Sequence, residues 1–270
     1  MFTALRHNLV NSGTTLVTEF CNILSLNNLF GAIANCSIPY AAANGASFSG
    51  TSRLARGSAW TGAADGKEFL FSFWVNMAAD GSNMSYSEPS SGRVDLFHNT
   101  NNTMLVRMRN TAGTNLLNVS TAGTIVAADG WVHVIGSGDA AVANSVYVYI
   151  NDTVDANFNG ISMTNQDIDL ARTDATFGGY TTGGFLLQGC LQEFFWTNEY
   201  LDLSDVNNRR KFIDAAGKPV DLGSDGSTPT GTAPWCYLNN PFGSFQTNKG
   251  TGGNLTVTGS LSDCGSSPSD

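Results

Sequence analysis

The chain has 270 residues, only 13% of them charged, and a formal net charge of -9. A chain of this length can bury most of its apolar surface in one large domain without metals or disulfides as staples. The negative charge argues against nucleic acid and anionic membranes as partners, because both would repel it.

No apolar run is long enough to span a membrane. The first residues, "MFTALRHNLVNSGTTL", lack a basic region followed by an uninterrupted apolar stretch, so no secretory signal is predicted. We therefore expect synthesis in a cytoplasm. Cys21, Cys36, Cys190, Cys236 and Cys264 are an odd, widely spaced set without a C-x-x-C pair, and we interpret them as reduced structural cysteines.

Residues 1–44 form a predicted N-terminal segment that is apolar and nearly uncharged. Between Arg6 and Arg53, Glu19 is the only charged residue. Helical spacing relates a set of apolar side chains, namely Phe20, Ile23, Leu24, Leu26, Leu29, Phe30 and Ile33. Such a surface needs a cover. The segment either packs on the rest of the chain or docks on another protein of an assembly, and the sequence leaves both open.

From Ala46 onward the apolar period becomes two. In "FLFSFWVNM" the side chains of Phe69, Phe71 and Phe73 share one face, while Leu70 and Trp74 share the other. Further predicted strands are "RVDLFHN", "MLVRMRN", "WVHVIG", "SVYVYIN", "ATFGGY", "FLLQGCLQEFFW", "PWCYL" and "LTVTG", separated by turn-forming clusters such as "AADG". Many short strands without a recurring helix indicate an all-β, two-sheet antiparallel sandwich.

One short helix is predicted late in the chain. Ser204 is the expected N-cap, and Gly217 and Pro219 are expected to end the helix. Val206 and Ile213 make a narrow apolar stripe that would lie on the edge or end of a sheet. The run Arg209-Arg210-Lys211 is interpreted as a solvated helix face.

The stretch "FLLQGCLQEFFWTNEYLDLSDVNNRRKF" resembles laminin G-like and concanavalin A-like jelly rolls. Their late strand and helix pattern is matched by Gly189, Leu191, Glu193, Phe195, Leu201, Ser204 and Asp205, with Gln192 standing where an aspartate is usual. The resemblance runs from about Ala46 to Tyr237. It implies a jelly roll over residues 45–262 with the N-terminal segment as an appendage and residues 263–270 as a flexible tail.

The ending "RRKFIDAAGKPVDLGSDGSTPTGTAPWCYL" followed by "NKGTGGNLTVTGSL" is similar to laminin G-like proteins of tailed bacteriophages. This resemblance implies a non-enzymatic virion protein, either a capsid decoration or a head or tail fibre component. The expected partners are other virion proteins, contacted by the apolar residues of the N-terminal segment, and host-surface glycans. A homo-oligomer is expected, a trimer being the form that suits fibre-like display.

Catalysis has little support in the sequence. The comparable carboxylate pair is Glu193 and Glu199, and six residues of strand place their Cα atoms roughly 20 Å apart. Two-carboxylate glycoside hydrolysis needs carboxyl groups about 5 to 9.5 Å apart. His7, His98 and His133 are scattered, and His133 is expected to be a hydrogen-bonded strand residue.

Four aromatic residues are the predicted glycan-stacking candidates, namely Tyr147, Tyr149, Trp60 and Trp74, although aromatic residues in sheets mostly serve packing. Asp221 and Asp225 are weak calcium candidates that more often form Asx-turns, and no other cofactor is expected. The hypotheses that remain are the virion protein, a carbohydrate-binding adhesin not tied to a virion, and a glycoside hydrolase of the same fold.

Overall fold

The computed structural model describes residues 40–81, 83–87, 94–180 and 183–270, and for 83–87 it describes the backbone alone. The chain divides into two compact units, Met1–Tyr40 and Ala41–Asp270. Everything below concerns the second unit. The seven apolar residues predicted to contact a virion, from Phe20 to Ile33, lie outside the described residues.

Two antiparallel sheets build this unit. Sheet A has the strand order β10 (Thr153–Ile161), β9 (Val146–Ile150), β8 (Trp131–Asp139), β3 (Glu68–Met77), β12 (Gln188–Thr197), β1 (Ala46–Ser49) and β15 (Ser262–Asp263), and β13 (Cys236–Leu238) also pairs with β12. Sheet B has the order β14 (Thr256–Thr258), β2 (Arg53–Ala55), β11 (Thr176–Phe177), β4 (Asn83–Ser87), β5 (Val94–His98), β6 (Thr103–Arg109) and β7 (Asn115–Thr124). The predicted two-sheet jelly-roll sandwich is confirmed.

The core lies between the sheets and is rich in phenylalanine. Phe69, Phe71 and Phe73 point into it from β3, as their period-two spacing predicts. Gly136 in β8 makes room for Phe71, because a Cβ at that position would lie 2.4 Å from Phe71 Cζ. Each fully buried side chain of this size contributes roughly 1.5 to 3 kcal/mol to stability.

A second apolar cluster covers the outer face of sheet A. Leu70 and Phe195 project from the strands, and Leu203, Phe212 and Leu222 pack on them from the segment that follows β12. The expected helix lies in this segment. The residues on either side of the helix cover the outer face of sheet A, which is the structural role of the segment. The helix is a single turn, α1 (Val206–Arg209).

The N-cap of α1 is Asp205 and not Ser204 as predicted, because Asp205 Oδ1 accepts a hydrogen bond from Asn207 N at 2.9 Å. The solvated-face interpretation of the arginines is also wrong. Arg209 Nε lies 2.6 Å from Asp152 Oδ1, and Arg210 pairs with Asp152 Oδ2 at 2.7 Å. These pairs fix α1 to the turn between β9 and β10.

The C-terminal residues are tied to sheet A. Cys190 in β12 and Cys264 form a disulfide, so the prediction of reduced cysteines is wrong for this pair. Cys236 is free and buried, while the two N-terminal cysteines lie outside the described residues. Ser266 O accepts from Gly45 N at 3.0 Å. Residues within 263–270 thus contact the sandwich, and the flexible tail stays a prediction.

The described part of the chain contains two short 3-10 helices, η1 (Ala127–Asp129) and η2 (Phe242–Ser244). Over these same residues, every helix is too short or too polar to cross a membrane.

Candidate functional site

The outer face of sheet B presents an aromatic and polar surface. In β6 the side chains of Met104, Val106 and Met108 point into the core, so Arg107 and Arg109 point outward. In β5 Phe97 points outward, because its neighbours Leu96 and His98 are buried on the opposite side.

The loop residues 178–180 and 183–187, between β11 and β12, carry the exposed ring of this surface. Phe185 is 48% exposed, and its ring centroid lies 5.1 Å from that of Phe97 and 5.2 Å from that of Tyr180. Both neighbouring rings meet Phe185 nearly at right angles, at 88° and 87°. Since aromatic pairs favour this edge-to-face geometry, the two neighbours hold the Phe185 ring in place.

The backbone of Phe185 is strained. Its φ is 54°, in the left-handed region that residues with a bulky side chain rarely adopt. Such a conformation costs on the order of 1 to 3 kcal/mol and persists because the surroundings impose it. The loop supplies those constraints through backbone hydrogen bonds from Tyr180 to Gly184 and from Leu187 to Gly178, each 2.9 Å long. An exposed apolar ring is thus held at a conformational cost.

Charged groups stand beside the rings. Arg107 Nε donates to Asp95 Oδ2 at 2.6 Å, and the Asp95 side chain is only 1% exposed while that of Arg107 is 21% exposed. Burial raises the pKa of the Tyr180 hydroxyl, and the Asp95 carboxylate adds to the rise, whereas Arg107 and Arg109 oppose it. Arg107 thus links the buried Asp95 carboxylate to the surroundings of Tyr180, which is itself a ring neighbour of Phe185.

The neighbouring strand β7 adds amides to this surface. Asn118 lies opposite Arg107 and Asn115 opposite Arg109 in the strand register, and both asparagines are exposed. Asn115 Oδ1 accepts from Arg109 Nε at 2.7 Å. We call Phe97, Tyr180, Phe185, Arg107 and Arg109 the aromatic-arginine patch.

Three of the four predicted glycan-stacking residues are not exposed. Trp60, Trp74 and Tyr149 are 1%, 3% and 7% exposed. The Arg209 guanidinium lies over the Tyr149 ring, 4.3 Å from its centroid, and occupies the face that a sugar would need. The premise of exposed rings is wrong for these residues. Tyr147 is partly exposed, and its role as a stacking residue stays a prediction.

Of the two glutamates considered for catalysis, Glu193 is buried and Glu199 is partly exposed. Glu193 is 3% exposed, sits at a bulge with φ 53°, and accepts a hydrogen bond from the Tyr237 hydroxyl at 2.9 Å. The bulge falls at Glu193 because the register between β12 and β3 shifts between Gln192 and Phe195. Glu193 is therefore part of a buried polar contact.

A groove of about 270 Å³ lies beside the start of β3, a site that sequence reasoning missed. Its lining is Gly66, Lys67, Glu68, Asp139, Ala141 and Asn198. Burial raises the pKa of Glu68, and the negative charges of Asp139 and Glu199 raise it further. Strand pairing brings these acids together, since Glu68 is the register partner of Asp139.

Neither described histidine is placed as a metal ligand. His133 Nε2 lies 2.8 Å from Ser72 Oγ, and the ring is fully buried. The ring nitrogens of His98 lie 2.6 Å from Gly81 O and 2.7 Å from Ile125 O. His98 therefore joins two loops.

Asp221 and Asp225 form the predicted Asx-turns. Asp221 Oδ1 accepts from Gly223 N at 2.9 Å, and Asp225 Oδ1 accepts from Ser227 N at 3.0 Å. Hydrogen bonds from Ser227 lower the pKa of Asp225. Within the described ranges, no three His, Cys, Asp or Glu side chains are arranged to hold a metal ion.

The sequence pattern concealed Phe185. Its apolar neighbours make "FLLQGCLQEFFW" look like one continuous strand, yet β12 begins at Gln188. The signal that marks the position is the preceding pair Gly183-Gly184, which is typical of a turn.

Solved structures support the fold. A candidate carbohydrate-binding protein from Bacteroides ovatus matches with a TM-score of 0.58 at 13% identity, over 84% of this chain. This chain spans 61% of that protein's length. A heptameric SAP-like pentraxin from Limulus polyphemus matches with a TM-score of 0.42 at 15% identity, over 58% of this chain and 77% of that one. Domains LG4-5 of the mouse laminin alpha1 chain match with a TM-score of 0.41 at 13% identity, over 65% of this chain and 48% of that one. Both TM-scores are too low to carry an argument.

No family model and no curated protein sequence matches the chain. At 13% identity the Bacteroides ovatus match shows the fold alone. Fold and site together define a jelly-roll sandwich that carries the aromatic-arginine patch on the outer face of one sheet.

Proposed function

We propose that the chain is a non-enzymatic carbohydrate-binding module whose ligand lies on the aromatic-arginine patch. The observation that carries this proposal is the exposed ring of Phe185, held at a strained φ by Phe97, Tyr180 and the loop backbone. A ring that is fixed before binding loses little conformational entropy when a pyranose stacks on it.

The surroundings of the ring fit a sugar. Binding sites for small ligands combine apolar and aromatic contacts with a few placed polar groups that fix orientation. Arg107 donates hydrogen bonds, and the amide of Asn118 both donates and accepts them, which suits hydroxyl groups. The similar jelly roll from Bacteroides ovatus, itself described as a candidate carbohydrate-binding protein, supports this choice of ligand class.

Substitution of Phe185 tests the site. We expect Phe185→Ala to weaken glycan binding at least tenfold on a broad glycan array, because the stacking ring is lost. Phe242→Ala is the matched control, since Phe242 is 37% exposed and lies in η2, which contacts β1 and β15 of sheet A. Unchanged binding by Phe185→Ala would contradict the proposed site.

Arrays with calcium and with EDTA test the calcium prediction for Asp221 and Asp225.

Hydrolysis is a separate test. Glu193 is buried and bonded to Tyr237, which leaves it poorly placed to reach a substrate. We expect no sugar release from a panel of polysaccharides. Release that disappears in Glu193→Gln, or in Glu68→Gln at the groove beside β3, would show that the module is a hydrolase.

We further propose that this module is displayed on a bacteriophage particle, with residues 1–44 contacting other virion proteins. The support is the sequence resemblance and the apolar, nearly uncharged start of the chain. Localisation to the virion, synthesis in the host cytoplasm and trimeric assembly belong to the same proposal. Removal of residues 1–40, which keeps the unit Ala41–Asp270 whole, is expected to leave glycan binding intact and to abolish incorporation into particles. Normal incorporation would count against virion display.

A further inference from the structure

The last residues of the chain bind the residues at which the second unit begins. Gly45 N donates a hydrogen bond to Ser266 O, and Cys264 N donates one to Gly45 O, each at 3.0 Å. We call residues 262–270 the C-terminal strap and residues 42–45 the entry segment. The first compact unit ends just before the entry segment. The strap therefore contacts the chain where it passes from one unit to the next.

Further hydrogen bonds join the strap to the entry segment. Ala42 N donates to Ser269 Oγ at 2.9 Å, and Asn44 Nδ2 lies 3.4 Å from Asp263 Oδ2. The first of these bonds is partly buried and the second is exposed. Hydrogen bonds in such positions contribute little to stability, because water competes for the same donors and acceptors. These non-covalent contacts alone therefore hold the strap weakly.

A covalent bond strengthens the attachment. Cys264 of the strap forms a disulfide with Cys190, which lies in β12 between β3 and β1. Cys190 is 7% exposed, whereas Cys264 is partly exposed. A thiolate must reach a disulfide sulfur to cleave the bond. The strap thus carries the more accessible half of the disulfide, and sheet A carries the more protected half.

Thiol–disulfide exchange converts this bond in both directions. A dithiol reductant transfers its two thiol hydrogens to Cys190 and Cys264 and becomes a disulfide itself. In the reverse direction the two cysteine thiols give two protons and two electrons to a low-molecular-weight disulfide, which leaves as two thiols. Among the described cysteines Cys236 is no alternative partner, because it is buried and pairs in register with Trp196, roughly 20 Å along β12 from Cys190.

We propose that the Cys190–Cys264 disulfide is a redox-sensitive latch for the C-terminal strap. In an oxidising medium the disulfide keeps the strap on the entry segment. In a reducing medium the strap leaves the entry segment and exposes its backbone amides to water, while the two sheets stay folded. The junction between the two units is thus held more tightly outside a reducing compartment than inside one. This latch acts whatever ligand the module binds.

Hydrogen exchange of the full chain, with and without a dithiol reductant, tests the latch. In the oxidised chain we expect the amides of Gly45 and Cys264 to be protected roughly a hundredfold or more, because both are hydrogen-bonded. In the reduced chain we expect their exchange to come within about tenfold of that of an unstructured peptide, while amides of β3 and β8 stay protected about a thousandfold or more. Unchanged protection of Gly45 and Cys264, or an equal loss in β3 and β8, would overturn the proposal.

Substitutions assign the effect to this bond. Cys264→Ser should show fast exchange of the Gly45 amide with or without the reductant. Cys236→Ala is the matched control, because it removes a free cysteine, keeps the disulfide, and should respond to the reductant as the unmodified chain does. A reductant effect on Gly45 that persists in Cys264→Ser would place the sensitive bond elsewhere and contradict the latch.

Reversibility distinguishes a latch from a crosslink that forms once. After removal of the reductant, we expect a low-molecular-weight disulfide to re-form the Cys190–Cys264 bond and to restore protection of the Gly45 amide. Mass spectrometry of the thiol-labelled chain reports when the bond has re-formed. Protection that stays lost after that point would rule out a reversible switch.

Discussion

His133 is fully buried on the outer face of sheet A, between β3 and β9. Its Nε2 meets Ser72 Oγ, its Nδ1 has no hydrogen-bond partner among the described residues, and its ring lies 4.9 Å from that of Trp74. Burial lowers the pKa of His133 from 6.5 to about 3, because the imidazolium would lose its hydration, while the nearby Asp152 charge opposes the change. His133 is therefore neutral in the folded protein at neutral pH.

This burial predicts a pH dependence of stability. The unfolded chain binds a proton at His133 below about pH 6.5 and the folded chain only below about pH 3, so acid favours unfolding between those values. The stability that the neutral, buried His133 provides is fully present above pH 6.5. Below that pH, down to about pH 3, the free energy of unfolding falls by about 1.4 kcal/mol per pH unit. Urea titrations from pH 7 to pH 4 should show a shallower decline for His133→Gln than for the unmodified chain. Parallel curves for the two would rule out this role.

The last strand, β15, is held in place mainly by contacts other than its own strand pairing. It pairs with β1 through two residues, Ser262 and Asp263, and such a short strand gains little from its own hydrogen bonds. The Cys190–Cys264 disulfide and the bond from Trp131 Nε1 to Ser266 Oγ at 3.0 Å fix it to sheet A. A crosslink over 74 residues of sequence removes much of the freedom of the unfolded chain.

Breaking this crosslink should therefore be costly. For a loop of this length, loop-closure entropy gives about 4 kcal/mol of stabilisation, and we expect Cys264→Ser to lower the free energy of unfolding by roughly that amount or less. A reducing agent should have the same effect on the unmodified chain and no further effect on Cys264→Ser. A reducing agent that leaves the denaturation midpoint of the unmodified chain unchanged would contradict a structural role for the disulfide.

At the scale of the whole unit, hydrogen bonds of residues 42–44 show where the domain begins. Gln192 is fully buried, and its Nε2 donates to Ala43 O at 2.9 Å and to Asn44 O at 3.4 Å. Ala42 N donates to Ser269 Oγ at 2.9 Å. The unit thus includes residues that sequence patterning assigned to the N-terminal segment, because their backbone satisfies side chains from β12 and from the C-terminus.

A chain that starts at Ala41 should accordingly be more stable than one that starts at Gly45. The shorter chain leaves the Gln192 amide without its acceptors, which costs about 1 to 3 kcal/mol for a buried donor. Chemical denaturation of the two fragments checks this, and equal midpoints would place the boundary at Gly45. The amide of Gln192 can donate to these carbonyls, whereas a carboxylate at this position could not.

The sequence by itself determined the sandwich and the inward side chains. Alternation in β3, β8 and β9 specifies which residues face the core, and the glycine and asparagine clusters specify the turns, because both signals are local. The predicted Asx-turns at Asp221 and Asp225 formed for the same reason.

Only the tertiary structure decided which polar and aromatic residues are accessible. The sequence predicts binding residues at Trp60, Trp74 and Tyr149, but these side chains are buried in the folded structure. The sequence predicts a strand residue at Phe185, but this side chain is exposed. The Cys190–Cys264 pair and the groove beside Glu68 likewise depend on strands that meet across long separations. Period and turn chemistry act between neighbours in sequence, whereas burial depends on what packs above a residue, and that is settled when the sheets assemble.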